Sequence, residues 1–121
     1  MGTPEYNRAA WPLLVETARA GDTITYQKVA DVVNQLCHAR LSAHLVGPNA
    51  LDRIEAWCLR QGIPDLTAVV VAKEAGIPGA DFFRRNGVDP SAPQGRRHHR
   101  WSQIRNQVWE HAYGDEPPPD L

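Results

Sequence analysis

The sequence predicts a small α+β domain, a winged-helix-like helical unit with a short β-hairpin and a C-terminal helix, and three observations carry that expectation. Apolar residues recur at helical spacing through the first half of the chain, one β-branched run stands in the middle, and a second amphipathic stretch precedes an acidic, proline-rich end. At 121 residues with 42% hydrophobic and 22% charged content, the chain falls in the range of one globular domain with a single core. The expected domain spans residues 1–114, and 115–121 read as a disordered tail.

The stretch from Gly21 to Val33 organises the rest. Gly21 stops the helix before it, Ile24 and Thr25 form a short β-branched run, and Thr25 stands where a helix N-cap belongs. Val29, Val32 and Val33 follow at helical spacing, so a helix from Tyr26 to Asn34 or Gln35 opens a helix-turn-helix. Upstream, residues 8–20 put Ala10, Leu13, Leu14 and Thr17 on one side. Pro12 is compatible with that helix only in its first turn, because proline has no amide hydrogen. Residues 36–41 show no period and read as the turn. Ser42 then caps a third helix that turns Leu45, Leu51, Ile54 and Cys58 inward and stops at Gly62, with Gly47-Pro48 forcing a kink or a restart.

Residues 66–72 are the best strand, being short, β-branched and bounded by proline and charge. They form the first arm of a hairpin centred on 66–82. The Gly76-Ile77-Pro78-Gly79 loop is nearly bare of bulky side chains, which suits either close approach by a ligand or a tight hairpin turn. A loop over 87–95 leads to the last helix, with Trp101, Ile104, Val108 and Ala112 on one face and Gly114 closing it.

A net charge of -1 excludes a protein that holds nucleic acid by bulk charge, yet the charge is unevenly spread. Arg84, Arg85, Arg96, Arg97, Arg100 and Arg105 face one acid, Asp89, whereas Glu110, Asp115, Glu116 and Asp120 gather at the end. Two cysteines, Cys37 and Cys58, make neither a disulfide framework nor a zinc spacing. No basic-then-apolar leader and no apolar run of ~20 residues is present, so a cytoplasmic protein without membrane contact is expected.

Three pieces in order, Ile24-Thr25-Tyr26-Gln27-Lys28-Val29-Ala30, Ala43-His44-Leu45-Val46-Gly47, and Ile63-Pro64 followed by a valine strand and a glycine turn ending in Phe82, carry a resemblance. Over about residues 21–82 the chain resembles the DNA-binding domain of alkylguanine-DNA alkyltransferases and alkyltransferase-like proteins. The resemblance implies a helix-turn-helix in the minor groove, Tyr26 near a rotated phosphate, Thr25 capping its helix, and His44 in the place of the arginine that fills the gap left by a flipped base. Imidazole is shorter than guanidinium and only partly charged at neutral pH. The family's proline-cysteine-histidine-arginine motif falls on Pro64-Asp65-Leu66-Thr67, which holds neither a thiol nor the activating histidine, and alkyl transfer needs both. The resemblance therefore implies non-catalytic DNA binding, without a cofactor or a metal.

On that reading Lys28, Arg40, Arg84, Arg85, Arg96 and Arg97 contact phosphates, and Pro64, Leu66, Gly79 and Phe82 line the pocket of a flipped or modified base. Two rival readings stand beside it. Asp65, Asp81, His98, His99 and His111 supply the donor types of a small metal-dependent nuclease or hydrolase, although their spacings match no metal motif. Trp11, Trp57, Trp101 and Trp109 are many for this length and suit a protein-interaction module with a protein partner.

Overall fold

Helix α1 (Pro4–Arg19) starts where the Thr3 hydroxyl accepts the Tyr6 amide at 3.2 Å and Pro4 takes a position whose amide needs no partner. This computed structural model describes residues 3–121. The helix begins before residue 8, so Pro12 lies in its interior rather than its first turn. Pro12 is exposed, and water can satisfy the Arg8 carbonyl that it leaves without a helical amide. Ala10, Trp11, Leu14, Val15 and Ala18 turn into the core.

Strand β1 (Ile24–Thr25) leads directly into helix α2 (Tyr26–Cys37). The Thr25 hydroxyl accepts the Lys28 amide at 3.2 Å, which fixes the start of α2, and Val29, Ala30 and Val33 are buried. The helix runs past Gln35 to Cys37 and ends on His38, a non-glycine residue at φ 52°. Asn34 holds the turn that follows: its Nδ2 donates to the Leu41 carbonyl at 2.8 Å and its Oδ1 accepts the Leu41 amide at 2.7 Å.

The chain then makes a 3₁₀ turn (Ala43–Leu45) and a π-helical turn (Gly47–Leu51) before helix α3 (Asp52–Gln61). Ser42 does not cap this region through its side chain, so the expected third helix is divided at Gly47-Pro48. The cap comes instead from α1. Asn7, fully buried, accepts the Arg53 and Ile54 amides on its Oδ1 at 3.1 and 3.2 Å, while its Nδ2 faces the Thr3 and Asn49 carbonyls and Asp52. Leu51, Ile54 and Cys58 are buried as their spacing predicts, but Leu45 is 41% exposed and Val46 takes the inward place.

The expected hairpin is not formed among the described residues. Leu66–Val69 is a 3₁₀ turn, and only Val70–Val71 extends as strand β2, which pairs parallel with β1 in the register Ile24 to Val70 and Thr25 to Val71. Pro78 has no amide for a return arm, and the Ala72 amide reaches the Ile77 carbonyl at 2.9 Å to close a turn. Helix α4 (Ala80–Arg85) stands where the second arm was expected. The architecture is therefore helical with one small parallel sheet, within the α+β class.

Helix α5 (Gln94–Glu110) packs Trp101, Ile104 and Val108 inward; Ala112 lies beyond its end and is exposed. The expected disorder of 115–121 is also corrected. Arg19 pairs with Asp115, Arg8 donates to the Pro118 carbonyl at 2.8 Å, Trp57 donates to Asp120 at 3.0 Å, and Leu121 is buried. These bonds from α1 and α3, with Leu121 in the core, hold the short acidic segment against the two helices. Among the described residues no helix is long and apolar enough to cross a membrane.

Candidate nucleic-acid interface

The N-terminus of α2 sets the site. Because Thr25 ends β1 and caps α2, Tyr26 occupies the first helical position, and its hydroxyl accepts the Gly79 amide at 2.9 Å. That bond ties α2 to the loop before α4. It uses the phenol oxygen as an acceptor, and the phenol hydrogen has no acceptor among the described residues. Burial pushes the Tyr26 phenol up from its ordinary value, against the lowering effect of the Gly79 amide.

Tyr26 opens onto a cleft of about 280 Å³. Pro48, Leu51 and Phe82 give it apolar walls, and His44, Glu55, Thr67, Asp81 and Arg85 bring polar groups to it. An apolar cavity with a few convergent polar groups is the usual form of a small-ligand site. A second groove of about 620 Å³ lies behind, between α3, residues 62–65 and α5, and shares Glu55 and Arg85 with the first. The Glu55–Arg85 ion pair, 2.6 Å between Oε2 and Nε, therefore stands between the two cavities.

The polar floor is a chain of three oxygens. Thr67 Oγ1 lies 2.7 Å from Asp65 Oδ1 and 3.1 Å from Glu55 Oε1, and the Thr67 amide also donates to Asp65 at 3.0 Å. Burial pushes Glu55 up to about 8; the Asp65 charge adds to the rise, and the Arg85 guanidinium and Thr67 oppose it. Asp65 is raised as well, by burial first, against hydrogen bonds from Thr67 and Asn86. The two carboxyls titrate as one pair.

Of the residues singled out from sequence, Tyr26, His44, Gly79 and Phe82 meet at the cleft, and Thr25 positions the first of them. Leu66 does not line it, because it is fully buried in the core, and Pro64 faces the second groove with its carbonyl accepting the Tyr113 hydroxyl at 2.5 Å. Arg85, half-exposed, lines the cleft and pairs with Glu55, and Arg84 is paired with Asp81 at 2.8 Å. Arg97 donates its Nε to the Ala92 carbonyl at 3.0 Å and lies over the Phe83 ring, so it fastens α5 to α4. Lys28, Arg40 and Arg96 are exposed and have no ion pair among the described residues.

Glu55 and Thr67 are the functional candidates that sequence reading passed over. Glu55 left a signal, since it sits in the Leu51, Cys58 stripe where a carboxylate must face the interior. Cys58 is pushed up to about 12 by burial and stays a thiol at neutral pH. The residues of the metal reading are dispersed: Asp81 is at the cleft, His98 packs edge-on against Trp101, and His111 packs edge-on against Tyr113. Among the described residues no group of three or more His, Cys, Asp or Glu side chains is placed to hold a metal ion.

All four indole N–H groups are engaged within the chain. Trp11 donates to the Gly114 carbonyl, Trp57 to Asp120, Trp101 to the Ala68 carbonyl and Trp109 to the Asp22 carbonyl. They hold the tail and α5 in place. Comparison with family models, curated proteins and solved structures found no match to this chain.

Proposed function

We propose that this is a non-catalytic DNA-binding protein of the alkyltransferase-like type, built on a winged-helix-like unit, that holds the backbone of a duplex and takes a flipped or modified base into the cleft. One observation carries the reading. Tyr26, His44, Gly79 and Phe82, assigned to DNA from separate stretches of sequence, line a single cavity. Around it, α2 is followed by a tight turn and a second helical segment, the order that a helix-turn-helix requires.

The chemistry of the parts is consistent with this role. The phenol hydrogen of Tyr26, without an acceptor among the described residues, suits a phosphate oxygen at the cleft mouth, and the exposed cations Lys28, Arg40 and Arg96 supply the sequence-independent share of affinity. His44 is exposed beside the cleft, with Nδ1 at 3.3 Å from the Ser42 hydroxyl, and occupies the gap left in the stack. Extruding a base costs a few kcal/mol, which Phe82, Pro48 and the polar floor offset by contact with the extruded ring. Asp65 falls where the family carries its cysteine, and the remaining thiols, Cys37 and Cys58, both have raised values, so alkyl transfer is not part of the proposal.

The test is fluorescence anisotropy of labelled duplex and single-stranded DNA, with and without an alkylated guanine, at several salt concentrations. The reading expects tighter binding to the modified duplex and, for ~5 phosphate contacts, a slope of log affinity against log salt of roughly -4 to -5. Absence of binding at low salt would overturn it.

A further inference from the structure

The groove of about 620 Å³ behind the cleft takes no part in the proposed DNA contacts, and its size is that of a site for a small organic molecule. Its walls are anchored separately from one another. Helix α3 ends where Gly62 turns the chain at φ 67°, and the segment after it is held by the 2.5 Å bond from the Tyr113 hydroxyl to the Pro64 carbonyl. Helix α5 is held by the 2.7 Å bond from the Trp101 indole to the Ala68 carbonyl. The groove is thus formed by contacts within the chain, before any ligand arrives.

Most of the wall is apolar. Ala56 and Leu59 come from α3, Ile63 and Pro64 from the segment that follows, and Ile104 from α5. Leu59 is 79% exposed, the largest exposure of any large apolar side chain among the described residues. Covering these side chains with the apolar body of a ligand removes that surface from water.

The polar groups of the groove differ in what they already hold. Asp65 accepts the Thr67 amide at 3.0 Å and the Thr67 hydroxyl at 2.7 Å, and Glu55 pairs with Arg85 at 2.6 Å. Arg100 is exposed, has no ion pair among the described residues, and reaches only the neutral Gln103 side chain, at 3.5 Å. On α5, Ile104 follows Arg100 by one turn, about 6 Å along the axis, and Gln107 continues the same face. One wall therefore offers a cation, an apolar side chain and an amide in a row.

We propose that this groove is a binding site for a small organic anion, an aromatic or branched aliphatic body that carries one carboxylate or sulfonate. The body covers Leu59, Ile63 and Ile104, and the anionic head pairs with Arg100. A cationic head would have to compete with Arg85 for Glu55 and with Thr67 for Asp65. A neutral ligand fills the same space and leaves Arg100 without a counter-charge.

The experiment titrates the full chain with anilinonaphthalene sulfonate, an aromatic body with one sulfonate, and with its neutral parent N-phenylnaphthylamine, following dye fluorescence. Wild type is expected to bind the sulfonate at one saturable site, with a dissociation constant on the order of ten micromolar and about tenfold tighter than the neutral dye. Arg100→Ala is expected to weaken the sulfonate by about tenfold and to leave the neutral dye unchanged, whereas Leu59→Glu weakens both. Both positions are exposed, and an unchanged midpoint in urea checks that each variant is folded. Absence of saturable sulfonate binding, equal affinity for the two dyes, or wild-type sulfonate affinity in Arg100→Ala would overturn the assignment.

Discussion

The face that carries the tail and the face that carries the cleft treat polar groups in opposite ways. Behind α1, Trp11 packs edge-on against Trp57 and Tyr113, and the indole and phenol hydrogens of all three reach acceptors within the chain. At the cleft, two carboxyls are crowded around one hydroxyl, and the Tyr26 hydrogen has no acceptor among the described residues. An aromatic face whose N–H and O–H groups are spent inside the chain stabilises the fold, whereas polar groups crowded at a cleft keep capacity for a ligand. The contrast implies that substitutions on the tail face act on stability, and substitutions at the cleft act on binding.

The largest effect is expected from Trp11→Ala, which empties the centre of the aromatic cluster and should lower stability by about 3–5 kcal/mol in urea unfolding. DNA affinity per folded molecule should not change. Next comes Asn7→Leu, which leaves the Arg53 and Ile54 amides without their acceptor and should cost about 2–3 kcal/mol by the same measurement. An unchanged midpoint for Asn7→Leu would contradict the capping of α3 from α1.

The carboxyl pair gives an effect of a different kind. Glu55 is raised from 4.5 to about 8 on folding, so the folded chain holds more protons than the unfolded chain between those values. Its contribution is fully present below pH 4.5 and is lost as pH rises through about 8, and the raised Asp65 acts in the same direction. Stability measured across that window should decline for wild type and decline less for Glu55→Gln. The smallest change in stability is expected from Tyr26→Phe, about 1 kcal/mol for the lost acceptor of the Gly79 amide, accompanied by a clear loss of DNA affinity. Tyr26→Phe binding DNA like wild type would remove Tyr26 from the interface.

What the sequence made legible was local. The Thr25 cap and the inward Val29 and Val33 of α2 act within about one helix turn and are found as their spacing predicts, as is the stop at Gly62, while Val32 is only half-buried. What it hid depends on partners far along the chain. Val70 and Val71 are extended because they pair with Ile24 and Thr25, a parallel partner that no turn residue announces. Asn7 looks like an ordinary polar residue in a helix until α3 arrives to be capped. At the site, Tyr26, Gly79 and Phe82 are recoverable from motif order, but Glu55 is hidden because helical spacing picks out the apolar Leu51, Ile54 and Cys58 around it. The tail looked too polar to fold, and its ordering comes from Trp57, Arg8 and Arg19 on other elements.

The decisive measurement is the fluorescence of 2-aminopurine placed at a weakened pair in a duplex titrated with protein. A base that leaves the stack on binding should brighten to a plateau with wild type and less with Tyr26→Phe and His44→Ala, whose side chains are proposed to hold the phosphate and fill the gap. Saturable binding to that duplex with no change in 2-aminopurine fluorescence would contradict base extrusion into the cleft.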